Sequence, residues 1–157
     1  MEVFNNEKYQ KLENVEELFK KVNCFGNEYN YCFGAAIPQS VLSTTLLSTG
    51  GAIGGLIAHN IQKNKLHSFI VNKYEKGICL IPLYSDDKSN TLMDLDGYID
   101  INNEEIASIT IKFADISWKK VTITLKDERK IIMNVIKNNK AFKWHKNNFQ
   151  RFIELYK

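Results

Sequence analysis

Six short runs of apolar residues follow one another at regular spacing between residues 67 and 136. They read HSFIVNKY, GICLIPLY, DGYIDI, EEIASITIKF, WKKVTITL and RKIIMNVI, and polar turns separate them. Runs of this length, rich in Ile, Val, Thr and Tyr and bounded by turn residues, predict β-strands. Connections this short predict an antiparallel sheet, because a parallel neighbour needs a long crossover.

Two of these runs also indicate how their strands are buried. The segment VTITL alternates apolar and polar residues from Val121 to Leu125, which is typical of a strand with one buried face. GICLIPLY is apolar throughout, so we expect it to be buried on both faces. Its Pro82 predicts either an edge strand or a bulge near the strand end, because proline cannot donate to a neighbouring strand.

Helical periodicity appears at both ends of the chain. Apolar residues recur at helical spacing within residues 6–22, which predicts an amphipathic helix there. The aromatic segment YNYCFGAAI that follows predicts the first strand, over about residues 28–36. In the last run, WHKNNFQRFIELYK, spacings of three and four residues predict a helix whose apolar stripe faces the sheet. Its members are Phe149, Phe152, Ile153 and Tyr156.

Residues 40–62 contain no Asp, Glu, Lys or Arg, and the segment includes STGGAIGGLIA. As a helix, it would place five small residues close together: Gly50, Gly51, Gly54, Gly55 and Ala58. Such a stripe lets another backbone approach closely. Nine of residues 41–61 are Gly, Ser or Thr, which disfavours a bilayer span. We expect a helix that packs on another backbone of the same chain or of a second copy, with shallow membrane insertion as the alternative.

The charges are unevenly distributed along the chain. Residues 82–105 carry seven acids and one lysine, whereas residues 112–157 carry twelve Lys or Arg and four acids. We expect the hairpin after WKKVTITL to gather four candidates for contact with an anionic surface: Lys119, Lys120, Arg129 and Lys130. The alternative is an ordinary solvated face. Because no RNA-binding or OB-fold signature accompanies these residues, nucleic acid is not the expected partner.

The sequence offers no pattern that carries catalysis. Its three cysteines lack a CxxC spacing and predict buried free thiols, and its three histidines lack an HExxH pattern, so we expect neither a metal site nor a cofactor. No serine lies in a GxSxG setting and no phosphate-binding glycine motif is present, which predicts a protein that is not an enzyme. The beginning, MEVFNNEKYQ, is unlike a secretory signal, so we expect a cytoplasmic location, with membrane association as the alternative.

The order of elements resembles that of bacterial PH-like proteins, members of the pleckstrin-homology superfamily that are similar to GRAM domains. FIVNKYEKGICLIPL resembles the hairpin of two early strands, EEIASITIK and WKKVTITLKDERKIIMNV the later meander, and WHKNNFQRFIELYK the C-terminal helix. The resemblance implies an α+β fold: a partly open antiparallel barrel of about seven strands, capped by that helix. Lys63, Lys65, Lys73 and Lys76 are too scattered to match the superfamily's phosphoinositide cluster.

We therefore interpret residues 1–157 as one PH-like domain. It consists of an additional N-terminal helix in residues 1–24 and a barrel with its closing helix in residues 28–157, interrupted by a glycine-rich helical insertion in residues 38–64. The expected function is that of a non-enzymatic binding or scaffolding module, with an unidentified protein or a second copy as partner. The alternative is a peripheral membrane protein that binds anionic lipid weakly through its basic C-terminal third and its glycine-rich helix.

Overall fold

The computed structural model of the protein describes residues 1–38 and 65–157. Its nine described strands are β1 (Glu2–Val3), β2 (Asn30–Ala36), β3 (Lys65–Tyr74), β4 (Gly77–Ser85), β5 (Thr91–Met93), β6 (Ile99–Asn102), β7 (Ile106–Phe113), β8 (Trp118–Leu125) and β9 (Lys130–Ile136). Its described α-helices are α1 (Leu12–Lys21) and α2 (Trp144–Leu155), and short 3-10 helices span Lys8–Gln10 and Asn103–Glu105. The predicted insertion, with Gly50, Gly51, Gly54, Gly55 and Ala58, lies outside the described residues except for Pro38.

The strands form one sheet in which the described pairings are all antiparallel. The order is β1-β5-β4-β3-β2-β9-β8-β7, and β6 pairs with the first half of β4, beside β5. The predicted antiparallel sheet and the C-terminal helix are therefore confirmed. Two strands were not predicted, β1 and β5, because with two and three residues they are too short to show any alternation.

The sheet carries a core on each of its faces. On the inner face, α2 packs against β2, β3 and the later strands. Phe149 and Phe152 are fully buried there, and Ile153 and Tyr156 pack partly buried against the same core. On the outer face, α1 buries Val15, Leu18 and Phe19 against β2 to β4. The predicted apolar stripe of α2 is thus confirmed.

β4 lies in the middle of the sheet and is buried from Gly77 to Tyr84, as its composition predicted. A side chain at Gly77 would collide with the backbone carbonyl of Ile101, so the approach of β6 requires glycine there. Pro82 is not in an edge strand. It falls between the residues that pair with β6 and those that pair with β5, and a bulge interrupts the β3–β4 pairing at Leu66 and Ser68.

Neither described helix has the length and apolar character that a bilayer crossing requires.

Candidate anion-binding site

A pocket of about 360 Å³ opens where the start of β8 and the end of β9 lie beside α2. It combines basic, amide and apolar side chains, and its lining consists of Lys119, Lys137, Lys146, Asn147, Phe149, Gln150 and Ile153. None of the described residues that line it is acidic. This pocket, called the lysine pocket below, therefore joins three positive charges to apolar side chains.

Strand alternation brings two of the lysines into this pocket. Lys119 precedes Val121 and Ile123 by two and four residues, so its side chain points to the same face of the sheet. The side chains of Val121 and Ile123 are buried in the inner core. Trp118 lies opposite Ile136, and the Lys137 N–H donates to the Ser117 carbonyl at 2.9 Å. Lys137 thus continues the β8–β9 ladder on the same face as Lys119, diagonally across from it.

The third lysine comes from the first turn of α2. Lys146 precedes Phe149, Gln150 and Ile153 by three, four and seven residues, so the four side chains share one face of the helix. Among the described residues, no side chain caps the N-terminus of α2. The positive end of the helix dipole therefore adds to the field of the lysines.

Within residues 1–38 and 65–157, no acidic side chain forms an ion pair with any of the three lysines. The ion pairs within the described residues are Lys20 with Glu17 and Arg129 with Asp127. Lys119 and Lys137 are half-buried, and Lys146 is exposed. Three flexible ammonium groups at one mouth can converge on a single phosphate or carboxylate and donate charge-assisted hydrogen bonds to it.

The predicted cluster of Lys119, Lys120, Arg129 and Lys130 does not form. Lys120 lies opposite Asn134, whereas Lys130 lies opposite Thr124, so the two lysines are about 13 Å apart along the hairpin. An antiparallel hairpin places the start of its first strand far from the start of its second, which the prediction overlooked.

The individual residues of that predicted cluster have different surroundings. Lys119 and Lys120 are consecutive in β8, so they point to opposite faces of the sheet. Arg129 pairs with Asp127 through Nε and Oδ2 at 2.6 Å. Of the four predicted residues, Lys119 alone lines the lysine pocket.

Sequence reasoning missed Lys137 and Lys146. A signal for Lys137 was present, because it has the parity of Ile131, Met133 and Val135 in the run that precedes it. The signal for Lys146 was its spacing to Phe149 and Ile153 on a helix already predicted to face the core. Lys146 lies near Lys119 and Lys137 because of the way α2 crosses the sheet, and the sequence alone does not predict that crossing.

Close to the pocket, the side chain of His145 joins three elements of the fold. Ala36 of β2 lies opposite Asn134 of β9, and continuing this register would place Gly34 opposite Ile136. The imidazole lies between these two residues and replaces the direct backbone hydrogen bond between them. Its Nδ1 accepts from the Gly34 N–H at 3.1 Å, and its Nε2 donates to the Ile136 carbonyl at 2.6 Å.

His145 is fully buried, and its hydrogen bonds define its tautomer. Because the Gly34 N–H must donate, Nδ1 is unprotonated and Nε2 carries the hydrogen. Burial lowers the pKa of His145, and the hydrogen bond to Ile136 acts in the opposite direction. The side chain is a neutral structural bridge that holds α2 to the sheet beside the lysine pocket.

A fourth lysine, Lys73, is buried and makes its contacts within the fold. Four acceptors lie within hydrogen-bond distance of its three ammonium hydrogens. They are the Tyr29 hydroxyl at 3.3 Å, the Gly77 carbonyl at 3.3 Å, the Asn103 side-chain oxygen at 3.4 Å and the Tyr74 carbonyl. Burial lowers its pKa, and the nearby Glu75 carboxylate opposes this shift. Lys73 therefore ties the β3–β4 turn to its neighbours.

The three cysteines are free and fully buried, as predicted. Cys32, Asn72 and Cys79 form a row across β2, β3 and β4, and Cys24 lies over this row. A hydrogen bond with Cys24, together with burial, raises the pKa of the Cys79 thiol, and burial raises that of Cys32. Protonated thiols without solvent access are unreactive, so we interpret this cluster as core packing.

A second pocket, of about 200 Å³, lies on the outer face of the sheet. Gly34, Ala36 and Ser68 line it, together with aromatic side chains that include Phe4 and Trp144. None of the described residues that line it is charged. It is therefore distinct in chemistry from the lysine pocket.

Within residues 1–38 and 65–157, no three His, Cys, Asp or Glu side chains lie together in a way that could hold a metal ion. Comparisons with known protein families, with curated proteins and with solved structures found no match to this chain.

Proposed function

We propose that the protein is a non-enzymatic binding module, and that its lysine pocket holds the phosphate of an anionic ligand. The observation that carries this proposal is the convergence of Lys119, Lys137 and Lys146 on one pocket with no acid among its described lining. An ammonium cluster that makes no internal ion pair retains its attraction for an external anion. The other described residues of the lining carry amide or apolar side chains.

The proposal includes a PH-like architecture. Without β1 and β5, the sheet order is β6-β4-β3-β2-β9-β8-β7, and α2 lies against its inner face. These features support a partly open barrel of seven strands closed at one end by its C-terminal helix. In this interpretation α1, β1 and β5 are additions that cover the outer face and extend one edge.

The apolar part of the pocket indicates the form of the ligand. Ile153 is partly buried and lines the pocket beside the lysines, so a ligand with a hydrocarbon portion next to its phosphate would bury apolar surface as well as charge. A volume of about 360 Å³ is within the range of small-molecule sites. A glycerophosphate headgroup with the start of an acyl chain has this chemistry, whether it belongs to a bilayer or to a free molecule.

The test compares two triple variants with equal changes of charge. Lys119→Gln/Lys137→Gln/Lys146→Gln removes the lysines of the pocket, and Lys120→Gln/Lys126→Gln/Lys130→Gln removes three exposed lysines elsewhere on the same hairpin. We expect the wild-type protein and the control to bind phosphatidic acid vesicles, and the pocket variant to bind at least about tenfold more weakly, because each lost charge-assisted bond contributes about 1.5–3 kcal/mol.

Added salt should weaken the binding of the wild-type protein, and phosphatidylcholine vesicles should not bind. A parallel titration with glycerol 3-phosphate separates a bilayer ligand from a free phosphomonoester. Equal losses in the two triple variants would contradict the proposal, because they would indicate diffuse attraction to net charge. Absence of binding to both probes at low salt would contradict it as well.

A further inference from the structure

The last strand of the sheet, β7, leaves one long backbone edge unpaired among the described strands. It has eight residues and pairs with β8 on one side, from Ile106 opposite Leu125 to Phe113 opposite Lys119. The sheet order ends at β7. Every second N–H and C=O of an edge strand points away from its only neighbour and can pair with another strand.

Few of the features that usually prevent an edge strand from pairing with another chain are present in β7. The strand contains no proline, Lys112 is its only charged residue, and its bulge is confined to the start, between Ile106 and Ser108. The sequence IASITIKF has the β-branched composition that favours strand pairing. From Ser108 onward, the edge is regular enough to accept a partner strand.

Exposed apolar side chains lie at the end of this edge. Phe113 is 68% exposed and Ile116, in the turn to β8, is 85% exposed. They are the most exposed large apolar side chains in the described part of the chain. Two such residues beside an open strand edge form a surface that a protein partner can bury.

The charges at the two ends of β7 indicate which partner fits. Glu104 and Glu105 immediately precede the strand, and Lys112 lies near its end. When two copies of β7 run antiparallel around a two-fold axis near Ile109, the acidic start of each strand approaches the basic end of the other. This arrangement is self-complementary, as a two-fold interface requires.

We propose that β7 is a homodimerisation edge, at which two copies of this chain join their sheets through antiparallel β7–β7 pairing. The backbone hydrogen bonds continue the sheet across the dimer. Phe113 of each copy then lies beside the start of β7 in the other copy and loses its exposure to water. The proposed contacts come from β7 and the turn that follows it, and none of the residues that line the lysine pocket belongs to them. Variants of β7 therefore test the dimer with all three lysines in place.

The principal variant is Ser108→Lys/Thr110→Lys. Both residues are exposed on β7, and near the two-fold axis Ser108 of one copy lies opposite Thr110 of the other, so the variant places like charges against each other. The matched control is Thr122→Lys/Thr124→Lys. These residues are the β8 neighbours of Thr110 and Ser108, so the control adds the same charge away from the open edge.

Sedimentation equilibrium over a range of concentrations gives the mass of each protein. We expect the wild-type protein and the control to approach twice 18.2 kDa. The edge variant should remain a monomer, with its dimer dissociation constant raised by at least about tenfold. Hydrogen exchange should show β7 amides that become protected as the wild-type concentration rises.

A wild-type protein that is monomeric up to about 100 µM would overturn the proposal. An edge variant that is as dimeric as the control would overturn it too. If circular dichroism shows that the edge variant is unfolded, Phe113→Ser/Ile116→Ser replaces it, because both side chains are exposed and their loss leaves the core intact. If this second variant then forms a dimer as stable as that of the wild-type protein, the proposal is overturned.

Discussion

Replacement of Phe152 by alanine is expected to lower the free energy of unfolding by about 3–5 kcal/mol. Phe152 is fully buried, and its ring centroid lies 4.9 Å from that of Phe33 and 5.1 Å from that of Tyr156. The substitution leaves a cavity between α2 and the inner face of the sheet. Phe33 and Tyr156 belong to different parts of the fold, so they cannot easily move together to fill it. Unfolding in urea, followed by circular dichroism, measures this loss.

The matched control for Phe152→Ala is Leu155→Ala in the same helix. Leu155 is 44% exposed, so its truncation should cost much less, because it removes little buried area. Equal effects of the two substitutions would contradict the assignment of Phe152 to the inner core. They would also remove the reason for treating α2 as the element that closes this side of the sheet.

Replacement of His145 by alanine is expected to cost a similar amount, about 3–5 kcal/mol. The variant loses both hydrogen bonds of the imidazole and leaves the Gly34 N–H and the Ile136 carbonyl without their partner. It also opens a cavity at a site that is fully buried. The half-buried His67 in β3 provides the control, and His67→Ala should cost clearly less in the same urea titration.

The stability of the wild-type protein should also depend on pH through His145. Burial holds the pKa of the folded side chain below its unfolded value of about 6.5, so the unfolded chain binds the proton more readily. The contribution of His145 is therefore complete above about pH 6.5 and is lost as the pH falls from there towards the folded pKa.

The pH prediction is tested by comparing unfolding free energies at several values between about pH 5 and 8. We expect the difference in stability between the wild-type protein and His145→Ala to shrink as the pH decreases. A difference that grew towards low pH would mean that the folded protein stabilises the protonated imidazole. That result would be incompatible with Nδ1 accepting the Gly34 N–H.

The elements that could be predicted from the sequence are those whose apolar residues recur at a regular local spacing. Alternation in VTITL and the uniform apolarity of GICLIPLY predicted a half-buried and a fully buried strand, and the structure confirms both. The spacing of Phe149, Phe152, Ile153 and Tyr156 likewise predicted the face of α2 that meets the core. The two-residue β1 is held by pairing with β5, which no local pattern could reveal.

The lysine pocket shows a different limit of sequence reasoning. Lys119 was predicted to contact an anion, but its partners were sought in the neighbouring turn instead of by strand parity and helix spacing. Lys137 shares its face because the β8–β9 register continues past Ile136. The role of His145 was not predictable in this way, because Gly34 and Ile136 are brought to it from β2 and β9 by tertiary packing alone.

The proposed function requires that one pocket, formed by Lys119, Lys137 and Lys146, holds the anionic group. Nuclear magnetic resonance of the labelled protein, titrated with soluble dihexanoyl phosphatidic acid, tests this requirement residue by residue. We predict saturable amide shifts centred on those three lysines and on Asn147, and their loss in Lys119→Gln/Lys137→Gln/Lys146→Gln. Shifts centred on Lys120 and Lys130, or an absence of saturable shifts at low salt, would contradict the claim.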